Sequence, residues 1–189
     1  MPSPASGFSG HRGRIAFVDL GARSVRIEAP DPALYRDYLG GRGVQARLLY
    51  DHIKRRGPVR DPLEPANRII LGNGPVNDAH VATAGRGSCS FIGTMTRSPE
   101  PASWTPADAP LYGLLTHASA GGVFPNMLKR AGFDHVVIDG RAAEPVRLLV
   151  AEGKLEIRDA EDDLFEAVGG ARLPKRASAL TDVLTRLHP

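Results

Sequence analysis

Cysteine is nearly missing from this sequence: Cys89 is the only one in 189 residues. A disulfide within these residues is therefore excluded, and so is a metal or iron–sulfur site ligated by this chain's cysteines alone. No stretch reaches the roughly 18 consecutive apolar residues of a membrane span. Met1 to Gly13 is Pro-, Ser- and Gly-rich and lacks the charged-then-apolar order of a secretory leader. It reads as a disordered tail over residues 1–12, and the expected location is the cytoplasm. Aromatics are only 6% of the chain, and the one dense basic run, Lys54-Arg55-Arg56, has none interleaved. Nucleic-acid surfaces combine a clustered basic stripe with stacking platforms, so the net charge of +3 reads as a solvated surface.

Self-contained catalytic signatures are missing too. There is no Walker A pattern, no Rossmann glycine fingerprint after a strand and no Gly-x-Ser-x-Gly elbow. The six histidines do not pair at helical metal spacing. His117 could meet an anion but reads as surface, and Cys89 reads as an inert thiol in a strand. No nucleophile meets a base, so no catalytic or metal-ligating residue is assigned.

What is present is turn chemistry. Gly 21 and Pro 16, with 42% hydrophobic residues, describe a loop-rich globular domain. Arg14–Leu20 and Ser24–Glu28 read as a hairpin. Asp31-Pro32 starts a short helix through about Tyr38, as N-cap and first-turn proline. Val44, Leu48, Leu49 and Ile53 make a helix face, and 68–71 a buried strand. A strand is expected over 88–96, then a Pro-rich, irregular segment holding Trp104. A second hairpin pairs 146–150 with 155–158. Residues 161–189 are expected to be a loosely ordered extension ending in a short helix on Leu180, Val183, Leu184 and Leu187.

The stretch from His117 to Gly140 is the densest in signals. Ala118 to Gly122 reads as a small-residue loop running into a helix. Phe124, Met127, Leu128 and Ala131 form its apolar face, Pro125 sits in its first turn and Gly132 caps its end. Val136–Ile138 follows as a buried strand. Glycines ahead of a helix leave N–H groups open to an anion, and serve equally as a tight loop against a sheet. Similar glycine-bearing loops surround Gly41 and Arg86, the latter flanked by Gly85 and Gly87, so that a guanidinium there could grip a phosphate. Gly40-Gly41, helix, 69–72 echoes Gly121-Gly122, helix, 136–140. The echo and the hairpins predict an α+β fold of two related β-α-β units with mostly antiparallel sheets.

Several runs carry a resemblance: Gly13-Arg-Ile-Ala-Phe-Val-Asp-Leu20, Tyr38-Leu-Gly-Gly-Arg-Gly-Val44, Asp61-Pro-Leu-Glu-Pro-Ala-Asn-Arg-Ile-Ile70, Gly85-Arg86, Ser119-Ala-Gly-Gly122 and Ala131-Gly-Phe-Asp134. In order and spacing, from about Gly13 to Ala160, the sequence resembles the N-terminal domain of the aldehyde ferredoxin oxidoreductase family, the tungsten-pterin enzymes. The resemblance implies a domain over 13–160 on which a tungsten or molybdenum bis-pterin (molybdopterin-type) cofactor lies. It implies cofactor contacts at Arg86, Ser119 and Gly121, with Gly85, Ala120 and Gly122 beside them. Ser119 stands where the family has Asn, replacing an amide by one hydroxyl. The 4Fe-4S cysteines, the other pterin contacts and the acid/base groups belong to later helical domains of the family. Two readings follow. One is the cofactor-base subunit of an aldehyde oxidoreductase, completed by a second, iron–sulfur-carrying subunit that serves a ferredoxin-like electron carrier. The other is a non-catalytic scaffold or relict of the same fold. Neither involves nucleic acid or a membrane.

Overall fold

A computed structural model describes residues 10–59, 61–79, 81–93 and 114–160, with the backbone of 165–168 and 171–174. Trp104 with its Pro-rich segment, Asp162-Asp163 and the expected helix at Leu180–Leu187 lie outside the described residues. The elements in chain order are β1 (Ile15–Asp19), β2 (Ser24–Glu28), α1 (Pro32–Tyr38), α2 (Gly41–Arg56), β3 (Ile69–Gly72), β4 (Gly87–Ile92), β5 (Leu115–Ala120), α3 (Phe124–Arg130), β6 (His135–Asp139), β7 (Val146–Ala151), β8 (Lys154–Asp159), β9 (Phe165–Val168) and β10 (Ala171–Pro174).

Six strands form one sheet in the order β2-β1-β6-β3-β4-β5. Among them β1 and β6 pair in parallel, and the other neighbours are antiparallel. This is the α+β architecture with mostly antiparallel pairing. The two helix-to-strand passages deliver β3 and β6 to adjacent places at the sheet's centre, running in opposite directions.

Alternation along the strands fills both faces. Ile15, Ile70 and Val137 pack with Leu49 of α2 on one side. Ala16, Val18 and Val136 pack with Leu128 and Phe133 on the other, where Leu155, Leu148 and Val150 of the β7–β8 hairpin complete the layer. Strands covered on both faces read as continuous apolar runs, which is why 136–138 is legible as buried.

Local signals set the helices. The Asp31 side chain accepts from the Ala33 N–H at 2.8 Å, and Pro32 takes the first turn of α1. Lys54, Arg55 and Arg56 occupy the last turn of α2, where cations complement the helix dipole. That accounts for the basic run. Gly132 has φ +97°, the left-handed conformation expected at the end of α3.

Four expectations are corrected. First, residues 10–12 are not a tail. His11 is buried, and the Arg12 and Gly13 N–H groups donate to Asp134 at 3.0 and 2.7 Å. A buried carboxylate needs such donors, and the chain start supplies them. Second, 118–122 is not all loop: β5 runs to Ala120, because its backbone pairs with β4 despite a weakly β-forming sequence. Third, α2 starts at Gly41 rather than Val44. The Gly41 N–H is satisfied by the Asn73 carbonyl at 2.8 Å, so glycine in the first turn is tolerated. Fourth, within the stretch expected to be loose, β9 and β10 pair as an antiparallel hairpin.

Candidate functional site

The sheet topology gathers the three glycine-bearing loops at one rim. β3 ends at Gly72, β4 begins at Gly87, β5 ends at Ala120 and α2 begins at Gly41. Ser88 stands opposite Ser119 in the ladder and Gly87 opposite Ala120. A methyl built on Gly41 would lie 3.9 Å from Ser88 Oγ, and one on Gly85 would lie 3.9 Å from the Gly122 carbonyl. So Gly85, Arg86, Ser119, Ala120, Gly121 and Gly122, separated by about thirty positions in sequence, are neighbours in space.

The rim is open where the expected contacts lie. Arg86 and Ser119 are exposed. A methyl added at Gly121 or Gly122 would meet no atom within 4 Å, and Gly122 has φ +83°, which favours glycine. Arg42, in the first turn of α2, is exposed too, and Gly40 before it offers no side-chain cap. Guanidinium groups, a hydroxyl and a helix N-terminus around an open surface suit one wall of a site for a flat, phosphorylated ligand. No group of three or more His, Cys, Asp or Glu residues that could hold a metal ion occurs among the described residues. The polar groups at the rim, two arginines and a hydroxyl, suit contacts to the organic and phosphate parts of a ligand.

The two faces of β5 differ. Ser119 and His117 share the α2 face with Ser88 and Ser90, their ladder partners. Ala118 and Ala120 face α3 and, with Leu71, Cys89, Phe124 and Pro125, line an apolar cleft of about 110 Å³. Ala120 therefore contributes to the rim through its backbone. Burial pushes the Cys89 thiol above its ordinary pKa, which keeps it protonated and unreactive at neutral pH.

Three supports were not anticipated from the sequence. Asn77, buried, accepts from the Gly74 N–H at 2.8 Å and donates to the Ala84 and Arg86 carbonyls at 2.9 and 3.1 Å. It fastens the Gly85-Arg86 loop onto the turn after β3. The Gly74-Pro75-Val-Asn77 turn signature was the available clue. Gln45, fully buried on α2, donates to the Ser88 carbonyl at 2.9 Å and accepts from the Ser88 and Ser90 hydroxyls. Its spacing of four from Leu49 was the available clue, but nothing marked its polar partners.

The third support is the buried cluster around Asp134. Its carboxylate accepts from Lys129 Nζ at 2.8 Å and from the Tyr35 hydroxyl at 3.0 Å, besides the two backbone N–H groups. The His11 ring stacks on Tyr35 with centroids 4.1 Å apart. Burial alone would raise the Asp134 pKa, but the Lys129 charge and hydrogen bond and the Arg12 N–H outweigh it and leave it below the usual value. Burial first, then the Asp134 charge, raises that of Tyr35. Lys129 Nζ also donates to the Gly74 carbonyl at 3.1 Å, tying α3 to the turn that Asn77 holds.

The architecture defines a class first: an α+β domain with helices on both faces of a mixed sheet and a glycine-lined rim. It recurs in the solved active-site complex BamBC of benzoyl coenzyme A reductase with 1,5-dienoyl-CoA, at TM-score 0.71 and 26% identity, covering 95% of this chain and 23% of that one. The sequence matches the family model described as "Aldehyde ferredoxin oxidoreductase, N-terminal domain" over residues 15–182, and the chain belongs to that family as its N-terminal domain. The tungsten-containing aldehyde ferredoxin oxidoreductase of Pyrococcus furiosus is 34% identical over 151 residues, covering 80% of this chain and 22% of the relative. That of Thermococcus kodakarensis is 33% identical over the same length. The WOR-like subunit of the aliphatic sulfonate oxidoreductase of P. furiosus is 26% identical over 170 residues. The chain spans 22–23% of the length of these relatives.

Proposed function

We propose that this domain is the base on which a tungsten or molybdenum bis-pterin cofactor lies in an aldehyde-oxidising enzyme of the ferredoxin-linked type. The observation that carries the reading is the convergence of Gly41, Gly85-Arg86 and Ser119–Gly122 on one open rim. The names of the relatives supply the metal: two are tungsten-containing enzymes. Arg86 and Arg42 would neutralise phosphate groups, and Ser119 would give one hydroxyl contact. Gly121 and Gly122 would let the ligand approach the backbone. The bound cofactor supplies the redox chemistry; the chain's residues bind and orient it and are not catalytic.

One cysteine cannot ligate a 4Fe-4S cluster. The cluster, the opposite wall and the acid/base groups would come from polypeptide beyond these residues, a partner domain or a second subunit with helical cluster-binding domains. Electrons would pass through that partner to a ferredoxin-like carrier.

Affinity purification of the tagged chain from its native host, with metal and pterin analysis, tests the reading. Stoichiometric tungsten or molybdenum with a cysteine-rich partner supports it. A stable, metal-free chain without partner overturns it and favours the scaffold reading, to which the Ser119 position also points.

A further inference from the structure

His117 precedes Ser119 by two residues on β5, so both side chains rise from the α2 face. Its surroundings settle which ring nitrogen carries the hydrogen. Gln45 Nε2 donates to the Ser88 backbone carbonyl at 2.9 Å, which orients the amide and leaves Oε1 as a pure acceptor. Ser90 Oγ lies against that Oε1, so the serine must donate there. A hydroxyl has one hydrogen. Ser90 Oγ can therefore only accept from His117 Nδ1, 2.7 Å away. Nδ1 carries the hydrogen, and Nε2 keeps its lone pair. Among the described residues Nε2 has no protein partner, and His117 is exposed. Burial, then the Arg42 charge, holds the ring's pKa below its ordinary value, so it is neutral at pH 7.

Among the rim's side chains the two arginines are donors only. The Arg42 and Arg86 guanidinium groups cannot accept, and the Ser119 hydroxyl, which donates or accepts, is a single group. A pterin edge carries several N–H and amino donors as well as acceptors, and guanidinium groups cannot pair with those donors. We propose that His117 Nε2 is a side-chain acceptor of this rim, taking a hydrogen bond from a heterocyclic N–H of the ligand laid over Ser119 and Gly121. The Gln45–Ser90 relay from α2 is the device that fixes the tautomer. This assignment rests on the pterin reading given above.

Two measurements test it. Long-range ¹H–¹⁵N NMR of the chain at pH 7 reads the tautomer directly. Protonated Nδ1 with bare Nε2 is expected, shifting toward a mixture in Ser90→Ala; an Nε2–H form in the wild type overturns the proposal. Second, pterin retained per chain is quantified by fluorescence after oxidative release, from protein isolated in its native host. His117→Phe is expected to retain about fivefold less, the scale of one lost hydrogen bond, and His117→Gln, which keeps an acceptor, to recover most of it. Arg86→Ala is run in parallel. Loss in Arg86→Ala with full retention in His117→Phe sinks this inference and leaves the pterin reading standing. Full retention in both, or no pterin in the wild type, overturns the reading and this assignment with it.

Discussion

The Lys129 ammonium meets Asp134 Oδ1 at 2.8 Å with both side chains buried, five residues apart across the end of α3. The pair joins α3 and the start of β6 to the Gly74 turn and to the first residues of the domain. Removing one partner of a buried pair strands the other charge, at a typical cost of about 3–5 kcal/mol. Lys129→Met is therefore expected to lower stability on that scale. Urea unfolding followed by circular dichroism measures it; a loss under about 1 kcal/mol would mean that water reaches the carboxylate.

A second prediction concerns acid. Burial lowers the His135 pKa from 6.5 to about 4. Neither ring nitrogen has a well-formed hydrogen bond, the Gly41 backbone being only a weak polar neighbour. Above pH 6.5 both folded and unfolded chains hold the ring neutral. Between 6.5 and about 4 only the unfolded chain takes the proton, so stability falls as pH drops through that window. The loss is about 3 kcal/mol from this group. His11 and His52 shift in the same direction, also by burial, and Asp134 adds further loss below its ordinary value of 3.8. Melting temperature recorded from pH 7 to 4 should decline, and His135→Leu should flatten part of the slope. An unchanged slope in that variant would show that His135 is not the titrating group.

The same histidine constrains β3. A methyl on Gly72 would collide with the His135 ring and stand 2.9 Å from Gln45 Nε2. Neither neighbour can retreat, since both are fully buried. Gly72→Ala is expected to destabilise by about 1–3 kcal/mol, the range for overpacking a filled interior. Thermal unfolding of the variant checks it. A small effect would require His135 to have a free rotamer.

Much of this was readable and the remainder has physical reasons for being hidden. Val136–Ile138 is an apolar run because both sheet faces are covered, in β3 only Ile70 and Leu71 reach the two cores while Ile69, expected buried, is exposed, and Asp31-Pro32 announces α1 by capping chemistry alone. β5 escaped because Leu115–Ala120 has neither alternation nor bulk; it exists through pairing with β4 on an edge, where its side chains stay exposed. The Asp134 cluster escaped for the opposite reason. Lys129 and Asp134 look like surface charges until the chain start folds over them, and that is a long-range event spanning 121 residues from Gly13. For the rim, the glycine loops and Arg86 were visible singly. Their meeting depends on strand order, which no local pattern encodes. His117 read as surface, and only the Gln45–Ser90 bonds give its exposed nitrogen a defined chemical state.

Asn77 gives the sharpest test of how the rim is held. Its side chain bridges three backbone groups, of Gly74, Ala84 and Arg86, and it is buried. Truncation to Ala leaves an N–H and two carbonyls without these partners at a cost of about 1–3 kcal/mol. The packed core is untouched by this change, since Asn77 belongs to neither apolar cluster. The damage should therefore be local. Hydrogen exchange of the amides at Ala84–Gly87 is expected to accelerate by tenfold or more, about 1.4 kcal/mol of lost protection, while that of Val136 and Val137 in β6 moves only with global stability. Asn77→Asp separates geometry from hydrogen bonding. It keeps the acceptor for Gly74 but turns the donor toward two carbonyls into a second acceptor. The Gly74 amide should then stay protected while the Arg86 loop loosens. Equal acceleration at both places would show that Asn77 acts on the turn as a whole rather than on the arginine loop.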